Sequence, residues 1–239
     1  MWLSGRSEAL SAESGLPVPI EIRAVRGARR LRLRYDDTRG VLKLTCPLRT
    51  SRRAALAWAL DQREWIEKQL ASALPVEPFV PGAVIPFEGI ETCLLWSEAA
   101  PRTPQHMPGE LRCGGPIAGF ERRIATFLKS RALEIMSAEV AEFALLAGVT
   151  PVSVSIGDAG SRWGSCSSEG RIRLSWRLIL APTPVRRFVV AHEVAHLVHL
   201  NHDAQFKALE ARLYGPGLAR AKAELRRVGP RLRRFGRRG

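Results

Sequence analysis

Apolar and polar residues alternate at Ile20-Glu21-Ile22-Arg23 and again at Leu31-Arg32-Leu33-Arg34-Tyr35. Period two is the signature of a strand with one solvated face. Asp36-Asp37-Thr38-Arg39-Gly40 supplies a turn, and Val41 to Thr45 reads as a third strand that Pro47 stops. The spacing then becomes helical. Thr50 or Ser51 can cap a helix whose apolar positions are Ala55, Leu56, Trp58, Ala59, Ile66 and Leu70. That helix runs to about residue 72, before Pro75-Val76-Glu77-Pro78 breaks it. Ala83 to Phe87 and Thr92 to Trp96 flank Glu88-Gly89, which predicts a hairpin. Residues 98–117, rich in Pro, Gly and charge, read as a surface connection.

The longest pattern follows. Ile124, Phe127, Leu128, Ala132, Ile135, Met136, Val140, Phe143 and Ala144 form one stripe, predicting a helix from about Gly119 to Leu146 with Gly148 as its stop. Val152 to Ile156 and Ile172 to Trp176 alternate as strands around a turn-rich segment from Ser161 to Gly170. Another helix begins near Thr183, since Pro182 and Pro184 fit only at its start. The order of elements predicts an α+β protein. A mobile leader occupies 1–17, a β-rich part with one helix 18–97, and a connection 98–117. A second part built on the long helix and the helix from Thr183 covers 118–215, and a tail 216–239.

The second of those helices carries His192-Glu193-Val194-Ala195-His196, an H-E-x-x-H pattern. Residues i and i+4 share a helix face one turn apart, so His192 and His196 can aim ring nitrogens at one zinc ion. Neutral imidazole binds zinc without cancelling its Lewis acidity, and Glu193 stands where a carboxylate can take a proton from water. A catalytic zinc needs a third protein ligand and an open position. Asn201 tolerates the left-handed conformation that ends a helix, and His202 follows where the reversing chain can return to the metal. His199 competes. It points almost the same way as His192 but stands two turns, about 10 Å, along the axis, and geometry favours His202. Four of the five histidines fall within 192–202, which incidental histidines on a buried helix explain poorly.

Charge adds a second theme. The chain carries 37 basic and 23 acidic residues, a net +14. Such a surface favours polyanions, so nucleic acid or a nucleotide is a candidate partner. The bias of 32 Arg to 5 Lys weakens that inference, because genome composition alone can produce it. The tail from Pro216 holds nine basic residues and reads as a solvated, disordered end, or as a grip for phosphates. Cys46, Cys93, Cys113 and Cys166 include no C-x-x-C pair, which points to reduced thiols and a cytoplasmic protein. The polar N-terminal stretch has no signal-like apolar run, and no segment is apolar enough to span a membrane.

Several runs together resemble the YgjP-like metallopeptidase family. They are Arg162-Trp163-Gly164-Ser165-Cys166-Ser167-Ser168, Leu174 to Pro182, the H-E-x-x-H run, and Asn201-His202-Asp203 with Phe206. The stretch from Arg26 to Leu70 and Phe79-Val80-Pro81-Gly82 are similar too. The resemblance implies a zincin-like second part, His192, His196 and His202 as zinc ligands, Glu193 as the catalytic base, and a peptide or protein as substrate. Arg162 can stabilise an oxyanion or bind a substrate carboxylate or phosphate, and Gly164 and Ser165 can let backbone approach a ligand. The competing reading of this segment is a tight turn with Trp163 packed in the core. Two alternatives stand beside the peptidase. One is a metal-dependent nucleotide phosphohydrolase (a pyrophosphatase). The other is a nucleic-acid-associated protein with a proteolytic or purely binding role.

Overall fold

The computed structural model describes residues 8–10, 15–36, 39–72, 75–158 and 162–236. Strands and helices are both well represented, as an α+β protein requires. The chain divides into two compact units, residues 1–75 and residues 76–238.

In the first unit, alternation puts one face of each strand into a core. The strands are β1 (Glu8–Leu10), β2 (Ile20–Val25), β3 (Arg32–Asp36) and β4 (Val41–Pro47), in sheet order β1-β2-β4-β3. β2 and β4 run parallel with Ile22 opposite Leu44, and β1 and β3 flank them antiparallel. Ile20, Ile22, Leu42, Leu44 and Cys46 are buried with Ala55, Ala59 and Ile66 from the helices that follow. The leader is therefore partly structured: residues 8–10 pair with β2. Residues 1–7 and 11–14 lie outside the described residues. The single helix expected to residue 72 is two, α1 (Arg52–Asp61) and α2 (Arg63–Ser72). Ser51 caps the first, its hydroxyl accepting from the Ala54 amide at 3.2 Å. Gln62, at φ −88° and ψ 16°, leaves helical geometry and separates them.

The second unit begins with the hairpin β5 (Val84–Phe87) and β6 (Ile90–Trp96). Glu88 and Gly89, at φ 52° and 81°, are both left-handed, the geometry of a tight two-residue hairpin turn. The sequence grouped this hairpin with the N-terminal part. Its Ile85, Phe87 and Leu94 are instead buried in the core of the second unit. Nor is 98–117 only a connection. It contains β7 (Gln105–Met107) and β8 (Glu110–Cys113), which complete a sheet in the order β5-β6-β8-β7. These strands are too short for alternation to stand out, though Leu111 and Cys113 are fully buried.

α3 (Phe120–Ala147) buries Ile124, Leu128, Ala132, Met136 and Val140 along one stripe. Gly148 closes it at φ 69°, a conformation cheap only for glycine. β9 (Ser153–Gly157), β10 (Gly164–Cys166) and β11 (Arg171–Ser175) form a second small sheet in the order β10-β11-β9. A buried 3-10 helix, Trp176–Leu180, leads from β11 into α4 (Thr183–Ala195). α4 is tied to α3 by a buried ion pair, with Arg186 Nη2 3.0 Å from Glu139 Oε1.

α5 (Ala204–Tyr214) and α6 (Leu218–Leu232) complete the unit. α6 corrects the reading of the tail as a disordered end. Ala221, Gly229 and Leu232 are buried, as is Phe235 beyond the helix. Arg231 pairs with Glu77 at 2.8 Å. Arg220, Lys222, Arg226, Arg227 and Arg231 lie on this packed amphipathic helix, Arg233 and Arg234 follow it, and Arg237 and Arg238 fall outside the described residues. No helix among the described residues is long and apolar enough to cross a membrane.

Candidate metal centre

α4 places His192 within its last turn, and the helix ends at Ala195 with His196 as its cap. That is six residues before the stop expected at Asn201. The chain then tightens, the amides of Leu197 and Val198 bonding to carbonyls three residues back, Val194 and Ala195. Tightening turns the His199 carbonyl toward the His196 ring, whose Nδ1 lies 3.0 Å from it. A carbonyl only accepts, so Nδ1 carries the proton and Nε2 is left with its lone pair.

His192 is held in the same tautomer by a different partner. Its Nδ1 lies 2.8 Å from Oε1 of Glu210, a residue of α5 that is 1% exposed. Lys222 of α6 donates to the other oxygen at 2.7 Å. Burial works against the Glu210 charge, but the hydrogen bonds from Lys222 and His192 outweigh it and hold the carboxyl below its usual range. Glu210 is thus an anion aimed at the imidazole, the arrangement that fixes a metal-binding histidine from behind.

His202 arrives from the turn before α5. Asp203 caps that helix, its Oδ1 accepting from the Phe206 amide at 2.9 Å. The cap fixes where Phe206 lies, and the Phe206 ring packs against all three imidazoles, at 5.1, 4.5 and 4.7 Å from His192, His196 and His202. His202 Nε2 stands 3.3 Å from His192 Nε2. One nitrogen from each of His192, His196 and His202 lies within 4.8 Å of the others. Two ligands at 2.0–2.1 Å from a tetrahedral ion are about 3.3 Å apart, the spacing of His202 and His192, so the cluster could hold a metal ion. Burial, with the neighbouring imidazoles adding to it, pushes His196 below its ordinary pKa, although the hydrogen bond to the His199 carbonyl works the other way. His199 offers its carbonyl, not its ring.

Glu193 is 5% exposed. Burial raises its carboxyl to about 7, with the charge of Arg162 pulling the other way. Gly164 of β10 lies against it. A Cβ on Gly164 would stand 2.6 Å from Glu193 Cγ, so β10 approaches α4 this closely only because residue 164 has no side chain. Ser165 faces Arg173 across the β10–β11 pair. Trp163 packs on α6, with the Arg233 guanidinium 4.3 Å over its ring, and a Cβ on Gly229 would be 3.2 Å from it. Cys166 is a half-buried thiol raised by burial and by the Glu193 charge.

Glu210 and Lys222 have no role in the sequence reading of the site, and Phe206 enters it only as part of the family motif. One signal for the first was available: Phe206, Leu209 and Leu213 form the buried stripe of α5, and Glu210 sits on it. A charged residue on an apolar face has a partner inside.

The model of the YgjP-like metallopeptidase domain matches residues 29–228 of this chain. Among solved structures, the chain is similar to the crystal structure of the metallopeptidase zymogen of Methanocaldococcus jannaschii jannalysin. The identity is 13% and the TM-score 0.35, covering 38% of this chain and 94% of that one. No curated protein matches the chain.

Proposed function

We propose that this chain, which belongs to the YgjP-like metallopeptidase family, is a zinc peptidase with a zincin-like second unit, in which His192, His196 and His202 hold the metal and Glu193 is the general base. The family supports a metal-dependent peptidase. The observation that carries the finer reading is the convergence of three imidazole nitrogens within 4.8 Å of one another. Two of those rings have their other nitrogen committed to an acceptor.

Bound zinc would supply a Lewis acid that acidifies water and polarises the scissile carbonyl. The chain's own residues do the rest. Glu210 and the His199 carbonyl keep the Nδ1 protons of His192 and His196 in place, so both rings present Nε2. Phe206 lies against the three rings and limits their rotation. Glu193, with a carboxyl poised near neutrality by burial, takes a proton from the attacking water and returns it to the leaving amine. Gly164 leaves the space that this carboxyl occupies.

The test is hydrolysis of an unstructured protein by the zinc-loaded chain, with nucleoside triphosphates assayed alongside. Peptide cleavage is expected, and Glu193→Gln should lower its rate by about 100-fold or more while keeping the metal. Metal-dependent phosphate release without peptide cleavage would displace the peptidase.

A further inference from the structure

A small cavity is lined in part by Gly164, the residue that lies against Glu193. β11 buries Ile172 and Leu174 and turns Arg173 to the opposite face of its sheet. There the Arg173 guanidinium lies against Gly157, where a Cβ would stand 2.6 Å from Nη2. Glycine at 157 is what admits it. Asp158, Arg162, Trp163, Ser165, Arg173 and Ser175 line a cavity of about 170 Å³ together with the backbone of Gly164. That is room for a carboxyl group or a short acidic side chain rather than a large ligand.

The charges in the cavity do not balance. Among its described lining residues the one acid, Asp158, is engaged by Arg177, with Nε–Oδ1 at 2.9 Å and Nη2–Oδ2 at 3.1 Å. Among the described residues, no carboxylate pairs with Arg162 or Arg173. Two guanidinium groups that also reach solvent therefore line one small cavity together with Ser165 and Ser175, and the charge of Arg162 is felt at Glu193. Like charges in such a space repel, and an anion entering it relieves the repulsion. Guanidinium groups match a carboxylate with two parallel hydrogen bonds. A carboxylate is also the anion that a peptide carries.

We propose that this cavity is a carboxylate-recognition subsite, in which Arg162 and Arg173 bind a carboxylate of the peptide substrate close to the bond that is cut. The inference rests on the peptidase reading for its substrate class. The carboxylate belongs either to the C-terminus of the peptide, which makes the enzyme a carboxypeptidase, or to an internal Asp or Glu side chain.

The test uses the full zinc-loaded chain carrying Glu193→Gln and measures binding of four hexapeptides by calorimetry. One has a free C-terminus and no acidic residue, and the second is its amide. The third is amidated and carries an internal Glu, and the fourth replaces that Glu with Gln. One of the two carboxylate peptides should bind about tenfold tighter than its neutral counterpart, the effect of one charge-assisted hydrogen bond of about 1.4 kcal/mol. Which one it is identifies the source. Adding Arg173→Gln or Arg162→Gln should bring the two within about twofold, with metal content and thermal midpoint unchanged. Equal binding of each pair, binding of none, or a preference that survives both arginine substitutions overturns the subsite. Wild-type hydrolysis separates the two readings. Carboxylate-selective binding without cleavage leaves the subsite and removes the peptidase. Cleavage indifferent to carboxylates does the reverse.

Discussion

His192 Nδ1 and Glu210 Oε1 are 2.8 Å apart, joining the first helical histidine of the motif to a carboxylate 18 residues later. Glu210 is buried and shared with Lys222, which places it to orient the His192 ring. Glu210→Gln should lower zinc affinity by roughly 10- to 100-fold while leaving three imidazoles in place. Competition against a chelator of known affinity reads this directly. Unchanged affinity would mean that the ring is oriented without its acceptor.

Gly164→Ala separates metal from catalysis. The new methyl would meet the Glu193 side chain, with Cγ 2.6 Å away, and the backbone of β10 is pinned by its pairing with β11. Zinc should stay at about one per chain, because no ligand is touched, while hydrolysis falls by at least about tenfold. Normal turnover by the Ala variant would show that the approach of β10 to Glu193 is dispensable.

The metal-free protein should carry a pH signature of Glu193. Its folded carboxyl titrates at about 7 against an ordinary 4.5, so the folded state holds the proton more tightly than the unfolded chain. The associated stability is fully present below 4.5, falls as pH rises toward 7, and is gone above that. Each unit is worth roughly 1.4 kcal/mol. With chelator present, wild type should lose roughly 2–3 kcal/mol relative to Glu193→Gln between pH 4.5 and pH 8 in urea unfolding. Parallel pH profiles for the two proteins would contradict this.

The metal helix is also held from its other end. Arg186 Nε donates to both oxygens of Glu139, at 3.1 and 3.2 Å, deep between α4 and α3. Glu139→Ala leaves a buried guanidinium unpaired and should cost about 3–5 kcal/mol. Replacing both, Glu139→Leu with Arg186→Met, should recover most of that loss. Chemical unfolding of the two variants measures the difference.

Local rules made much of this molecule legible, and tertiary closure hid the rest. The period-two strands and the stripe of α3 follow from the spacing of apolar residues alone. His192 and His196 follow from helix geometry, and His202 from a short reversal after the helix. Glu210 could not be placed opposite His192, because that contact depends on how α5 folds back over α4. α6 failed for another reason. Leu218, Ala221, Leu225, Val228 and Leu232 recur at helical spacing, but five basic residues and a Gly229-Pro230 pair interrupt the segment, and four more arginines follow it. Gly229 is there to admit the Trp163 ring, a contact no local pattern contains. Arg162 and Arg173 were likewise invisible as a pair, since only the β10–β11 turn brings their segments together.

Metal content per chain tests the centre most directly. Elemental analysis after zinc loading should find about one zinc in wild type and in His199→Ala, which keeps the carbonyl that His196 uses. His196→Ala and His202→Ala should retain little. An empty wild type, or full occupancy with residue 202 truncated, would contradict a site built from His192, His196 and His202.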